Sequence, residues 1–347
     1  MGVRKTIYDV AVLAGVSEAT VSRVLNNNPR VSAENRERVL IAARTLRFRP
    51  NAQARLLAGG RPHTVLLVHP TSGKPPTWYF QLLESGALRA CGQHGLRLQN
   101  HFVFPDSVRR DAAILQPVEN EECDGVILAA PFSDDPLIIR ALQLRHMPLI
   151  LLASGHATRG LAAGVGMDDE AAGYEMTSYL LGLGHRRFAF VLGLKDHLSA
   201  AERFDGARRA LGEAGLDPSA MPGLEGGLNF DYGYEAFHRI MVSGARPTAV
   251  ICANDESAAG AIHAAHELGL SLPRDMTITG FDDAPFARLL SPPLTTISQA
   301  IDTMASRAID ILVDVIKTVD RPYETVKPRL VIRASAAPPR DMPTAQF

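Results

Sequence analysis

Cysteine is scarce in this chain of 347 residues: Cys91, Cys123 and Cys252 are the three, an odd number with no CxxC spacing. A disulfide framework and a cysteine zinc site are both excluded as organising features, and a reducing compartment fits. No apolar run reaches the roughly 18 residues that a membrane-spanning helix needs. Met1-Gly2-Val3-Arg4-Lys5 leads straight into an amphipathic pattern, without the apolar core of a signal peptide. The expected location is therefore cytoplasmic, with no membrane partner. Enzyme signatures are missing too: the sequence holds no GxGxxG, GxxxxGK[ST], GxSxG or HExxH. Gly182-Leu183-Gly184 precedes a strand-like run instead of following one, so it is no nucleotide loop. His263 and His266 stand i, i+3 on a helical stretch without a third ligand. No metal, no cofactor and no enzymatic activity are expected.

What is present begins with size and charge. At 347 residues and 46% hydrophobic, the chain can bury a sizeable core and fill two or three domains. The net charge of −1 hides an asymmetry. Residues 1–61 carry 11 Lys and Arg against 4 Asp and Glu, leaving 25 basic against 33 acidic residues for the remainder. A basic head on an acidic body is the electrostatic footprint of a protein that presents one end to phosphates.

The head reads as three short helices. Thr6 can cap the first, whose Ile7, Val10, Ala11 and Ala14 share a stripe. Gly15 permits a turn, and Ser17 can cap a second helix. On that helix Val21, Val24 and Leu25 fall on one side, while Ala19, Ser22, Arg23 and Asn26 fall on the other. A short, polar outer face with one arginine is the make-up of a helix able to enter a major groove. Periodicity alone leaves open any small bundle with a solvated face. Residues 26–30 compose a loop, and Ser32 starts a third helix with Val39, Ala43 and Leu46 inward. After Pro50 a linker over 51–60 has helix-forming residues but is too short to be a stable helix alone.

From Thr64 the period changes. Apolar runs at 64–68, 125–129 and 148–153 alternate with helical stretches such as 80–91 and 137–144. A second series has runs at 188–192, 249–253 and 276–281, separated by helical stretches at 171–183, 200–214, 234–242 and 257–268. Strands alternating with helices predict parallel sheets covered on both faces, so the body reads as two doubly wound α/β subdomains. A ligand would sit in the cleft between them, at the carboxyl ends of the strands. Pro338, Pro339 and Pro343 forbid a coiled-coil extension of the C-terminus.

Several segments carry a resemblance: Thr6-Ile7-Tyr8-Asp9-Val10-Ala11, Ala14-Gly15-Val16-Ser17, the run from Ala19 to Asn26, Val31-Ser32, Arg38-Val39, and the run from Pro50 to Leu57. In this order and spacing they resemble the DNA-binding headpiece of the lactose repressor/galactose repressor family of bacterial transcription regulators. The body also resembles that family, and the periplasmic sugar-binding proteins, through the run from Gly184 to Gly193, Glu202-Arg203, Ala253-Asn254-Asp255, Gly280-Phe281-Asp282-Asp283 and the run from Pro292 to Thr296. The resemblance implies a helix-turn-helix headpiece at 1–50, a hinge helix at 51–60 and an effector-binding and dimerisation body at 61–340. The body would divide into one subdomain at 61–163 and 292–327 and a second at 164–291 and 328–336, followed by a Pro-rich tail at 337–347.

It further implies a homodimer on double-stranded operator DNA. Ala19, Ser22 and Arg23 would read bases, while Thr6, Thr20 and Asn26 touch phosphates; Ser17, Glu18, Asn51 and Arg55 are further DNA-binding candidates. Leu57 would wedge into the minor groove and kink the duplex; alternatively it packs linker against body. Glu18 and Phe48 depart from the family's pattern, which leaves the operator sequence open.

For the effector, a sugar or sugar derivative, the resemblance points to Arg203 and Asp255. Asp168 and Asp282 are further candidates, and for Asp168 backbone capping is an equal alternative. Tyr79 and Phe80 stand where the family keeps aromatics near the ligand, though core packing is an equal alternative for Tyr79. Phe132 and Phe230 are weaker candidates from cleft loops. The reading is a repressor of carbohydrate-utilisation genes. Its alternatives are co-repression or activation, a sugar-binding protein without a DNA role, and an enzyme on the same two subdomains.

Overall fold

The computed structural model describes residues 7–25, 31–46, 63–71, 73, 77–193, 197–244, 246–317, 319 and 321–340. It divides into two units, Met1–Pro62 and His63–Phe347.

The first unit holds α1 (Ile7–Ala14), α2 (Glu18–Leu25) and α3 (Ala33–Thr45). Val10, Ala11, Ala14, Val21, Val24, Val39 and Ala42 close on one another. This is the apolar stripe expected from spacing, with Ala42 added. Burying each valine is worth about 1.5–3 kcal/mol, which is what holds three such short helices together. Gly15 makes the turn at φ 63°, where a Cβ would come within 2.4 Å of Arg38 Nη2. That guanidinium donates to the Gly15 carbonyl at 3.3 Å.

The second unit starts with β1 (Thr64–Pro70), α4 (Trp78–His94), β2 (Arg97–Val103), α5 (Arg110–Glu119), β3 (Gly125–Ala129), α6 (Pro136–Leu144), β4 (Leu149–Leu152) and β5 (Gly164–Met167). Then come α7 (Asp169–Gly182), β6 (Phe188–Gly193), α8 (Leu198–Glu213), β7 (Gly223–Glu225), α9 (Phe230–Val242), β8 (Ala249–Cys252), α10 (Asp255–Glu267) and β9 (Thr277–Thr279). The chain ends with β10 (Thr296–Ser298), α11 (Ile301–Ile316), β11 (Tyr323–Val326) and β12 (Arg329–Val331).

Two parallel sheets result, in the orders β11-β5-β4-β3-β1-β2 and β7-β6-β8-β9. In β1, Val65 and Leu67 face α4 and α11, while Leu66 and Val68 face the cluster that holds Ile114, Ile138 and Leu142. Both faces are covered, which is why the strand reads as a continuous apolar run. β6 repeats the device in the second lobe, with Ala189 and Val191 toward one cluster and Phe188 and Phe190 toward the other.

The lobes are joined by three chain crossings. The first lies at Met167–Asp168, because β5 pairs with β4 and β11 in the first sheet. The crossing thus falls just past the expected boundary near 163, with β5 kept in the first lobe. The second crossing runs through β10, and the third follows β11 into β12, which pairs antiparallel with β10. The start of the tail is docked: Ala337 donates its N–H to Thr277 Oγ1 at 3.1 Å, and its carbonyl lies 2.9 Å from His185 Nε2. No helix among the described residues is long and apolar enough to cross a membrane.

Candidate DNA-reading face and effector cleft

On α2, Val21 and Val24 are buried, whereas Ser17, Glu18, Ala19 and Arg23 are exposed and Thr20 and Ser22 half-buried. The Ser17 hydroxyl accepts from Thr20 N–H at 3.2 Å and lies 2.9 Å from Thr20 Oγ1, so it caps the helix. Glu18 stands in the first turn, where the helix dipole favours a carboxylate. Thr6, Asn26, Asn51, Arg55 and Leu57 lie outside the described residues, as does the 51–60 linker.

In the body, Arg203 is placed by close packing of α7 on α8. A Cβ on Gly173 would lie 1.9 Å from the Arg203 carbonyl, and one on Gly206 would lie 1.9 Å from the Glu170 carbonyl. Only glycine permits that approach. It brings Arg203 Nε within 2.8 Å of Asp169 Oδ1, while Nη1 donates to the Ala253 carbonyl at 2.6 Å. The guanidinium lies 3.8 Å over the Phe281 ring. Both partners of this ion pair are almost wholly buried. Burial pushes the Asp169 carboxyl above its ordinary range, and Arg203 pulls it back. Asp168, the neighbour singled out by sequence, caps α7 by accepting from Ala171 N–H at 3.0 Å.

Asp255 is 0% exposed. Its Oδ1 accepts from Thr296 Oγ1 at 2.6 Å and its Oδ2 from Ala284 N–H at 2.7 Å. It thus ties β10 and the loop after β9 to the start of α10, and burial lifts its carboxyl to about 7. Asp282 has φ 119° and donates its N–H to the Ile297 carbonyl at 2.8 Å. Its Oδ1 accepts from Gln299. Burial first, and Asp255 second, raise its carboxyl well above the ordinary carboxylate range, while Arg203 opposes.

Tyr79 comes from the first turn of α4, in the other lobe. Burial raises its hydroxyl pKa, Asp282 adds to the rise and Arg203 opposes it; Asp169 and Tyr323 also act on it. Its ring is half-buried against the cluster that holds Val65, Leu67 and Leu83, as the core-packing alternative has it. Phe80 packs edge-on to it at 5.3 Å and stacks on His69 at 5.1 Å, on the core side.

The two aromatics from cleft loops differ in burial. Phe132 is 1% exposed, inside the cluster with Leu66, Val68 and Ile114. Transfer out of water outweighs any ligand role for a ring so placed. Phe230 is 44% exposed, with its ring 5.7 Å from His263 on α10, a position fixed by α9 packing on α10. Phe132 is thus a core ring, whereas the exposed ring of Phe230 remains a candidate.

Sequence reasoning missed Asp169, Glu202, Arg159, His197, Gln299 and Tyr323. Asp134 accepts from Gly155 N–H at 2.8 Å, its Oδ2 is buried without a hydrogen-bond partner, and burial raises it to about 6. Burial, then Arg203, pull His197 down to about 4, so its ring is neutral; Nδ1 lies 3.0 Å from Ser199 Oγ. Among the described residues no group of three His, Cys, Asp or Glu side chains is placed to hold a metal ion.

A helical head with an exposed polar second helix, ahead of a two-lobed parallel α/β body with a polar cleft, has the architecture of a ligand-responsive regulatory protein. Residues 6–51 match the family model for bacterial regulatory proteins of the lacI family, and 177–336 match the periplasmic binding protein-like domain. The chain belongs to the lacI family of bacterial regulatory proteins. It is 31% identical over 341 residues to the HTH-type transcriptional repressor PurR of Haemophilus influenzae, covering 95% of this chain and 98% of that one. It is 31% identical over 334 residues to catabolite control protein A of Priestia megaterium, with 95% and 98% covered. Among solved structures it is similar to a transcriptional regulator CelR–cellobiose complex, with TM-score 0.73, 26% identity, and 96% and 100% coverage. A lac repressor dimer bound to operator and the anti-inducer ONPF matches with TM-score 0.72, 26% identity and the same coverage.

Proposed function

We propose that the protein is a cytoplasmic, homodimeric repressor that binds operator DNA through α2 and controls carbohydrate-utilisation genes. A sugar or sugar derivative in the cleft between the lobes sets its operator affinity. The observation that carries this reading is the conjunction, in one chain, of an outward-facing Ala19–Arg23 surface with a buried Arg203 held at the mouths of two parallel sheets. The CelR–cellobiose complex supports a sugar as the ligand class. Ala19, Ser22 and Arg23 read bases, Thr20 supports the register, and Arg203, Tyr79 and Asp282 meet the effector.

A gel-shift with the DNA upstream of the protein's own gene, at two salt concentrations, tests the first half. Each phosphate contact contributes about −0.9 to the slope of log affinity against log salt. Arg23→Ala is expected to weaken the shift; absent or salt-insensitive retardation of the unaltered protein rejects the DNA role. Thermal-shift screening of mono- and disaccharides, with nucleobases as the competing class, tests the second half, and stabilisation by a nucleobase alone rejects the sugar.

A further inference from the structure

Two rims of the cleft are bridged by the protein's own groups. On one rim the loop after β4 meets the first turns of α8. His156 N–H donates to Glu202 Oε1 at 2.6 Å, and Glu202 Oε2, buried without a hydrogen-bond partner, stands 2.9 Å from His156 Nδ1 and 3.7 Å from Arg159 Nη2. The approach is close: a Cβ on Gly155 would fall 2.6 Å from Leu198 Cβ and 2.8 Å from Glu202 Oε1. The loop is itself braced. Arg159 donates from Nε to the Ser154 carbonyl at 3.0 Å and from Nη2 to the Met167 carbonyl, in the strand that leads into the first crossing, at 2.6 Å. Across the other rim, Trp78 N–H donates to Glu256 Oε1 at 3.3 Å, and the indole lies 6.3 Å from the Phe286 ring.

We infer that Glu202 is a latch: its contacts with His156 and Arg159 set how far the two lobes close, and it carries that setting to Arg203, the next residue on α8. On opening, one carboxylate loses a backbone donor, an imidazole and a guanidinium together. The loop it releases is the one fastened to the crossing strand. A change at this rim therefore moves the opposite rim, where Trp78 sits. The latch goes beyond the effector reading, and because Trp78 reports without any effector the two stand or fall separately.

Trp78 is the chain's single tryptophan, so its emission and its quenching by acrylamide read the cleft directly in the full-length protein. The variants are Glu202→Gln, His156→Ala and the two combined. His156 is half exposed, so His156→Ala keeps the fold even if Glu202→Gln does not. A half-exposed contact of this kind contributes up to about fivefold in such an equilibrium. The expected result is red-shifted emission and stronger quenching in both single variants, with the double variant no further shifted than either. Unchanged Trp78 quenching in His156→Ala overturns the latch, as does full additivity of the two changes.

Discussion

Arg203 and Asp169 illustrate how much rides on a buried pair. Two desolvated charges roughly break even against a well-packed apolar pair, but removing one partner strands the other, at about 3–5 kcal/mol. Arg203→Met is therefore expected to lower stability by that amount in urea, and Arg203→Met with Asp169→Asn to recover a substantial part of it. Equal loss in the single and double variants would show that the pair is not the cause. Asp255 gives a second residue-scale prediction, in pH. Its carboxyl is raised from 3.8 to about 7, so the protonated form is the one the fold prefers. The stability it confers is full below its unfolded value and is lost as pH rises through about 7. His69 and His197, pulled down to about 4 by burial, act oppositely: their contribution is present above 6.5 and lost as pH falls toward 4. Because the windows overlap, the wild-type profile alone is uninformative. Asp255→Asn isolates one term: its melting temperature, relative to wild type, is expected to be higher at pH 8 than at pH 5, and a pH-independent difference refutes the assignment.

At the scale of elements, the glycines of α7 and α8 are the test. Gly173→Ala places a methyl against a backbone carbonyl that no rotamer can clear. Overpacking of this kind costs about 1–3 kcal/mol, and here it also separates Arg203 from Asp169. Gly92 of α4 has nothing within 4 Å of its Cβ position. Gly92→Ala is therefore expected to stabilise by about 0.5–1 kcal/mol, which urea denaturation of both variants would show. The same elements mark what could be read from sequence. β1, β3, β4, β6 and β8 were legible because both their faces are apolar, and the head because its stripe repeats at helical spacing. β5 was not: it reads Gly164-Val165-Gly166-Met167, and it is buried because Tyr323 covers the glycine face. Asp168 takes the capping role that was one of its two alternatives, and the ion-paired Asp169 lies one position on, since capping residue and first helical residue differ only in where the helix begins. Residues 301–316 did carry a stripe (Ile301, Met304, Ala305, Ala308, Ile309, Leu312) that the spacing argument passed over. The contacts across the cleft left no trace in sequence: Glu202 meets His156 over a separation of 46 residues, and Trp78 meets Glu256 over 178.

For the whole molecule, the segregated charge and the two-lobed body divide the work. The head, with 11 basic residues against 4 acidic in 1–61, supplies affinity that any duplex shares, while the body supplies control. Control of this kind is a coupling free energy, about 1–3 kcal/mol in typical systems, or roughly 5- to 150-fold in affinity. Such coupling must be reciprocal. If an effector found by thermal-shift screening weakens operator binding by some factor, the operator must weaken effector binding by that same factor. Measuring both arms by titration at one salt concentration is a strict test of a single two-state body. Unequal factors would mean a third state, or an effector acting on the head itself. Glu202→Gln adds the decisive arm. A latch that only biases closure changes effector affinity and operator response together, keeping the two factors equal to each other, whereas loss of the response at unchanged effector affinity would place Glu202 outside the closing equilibrium.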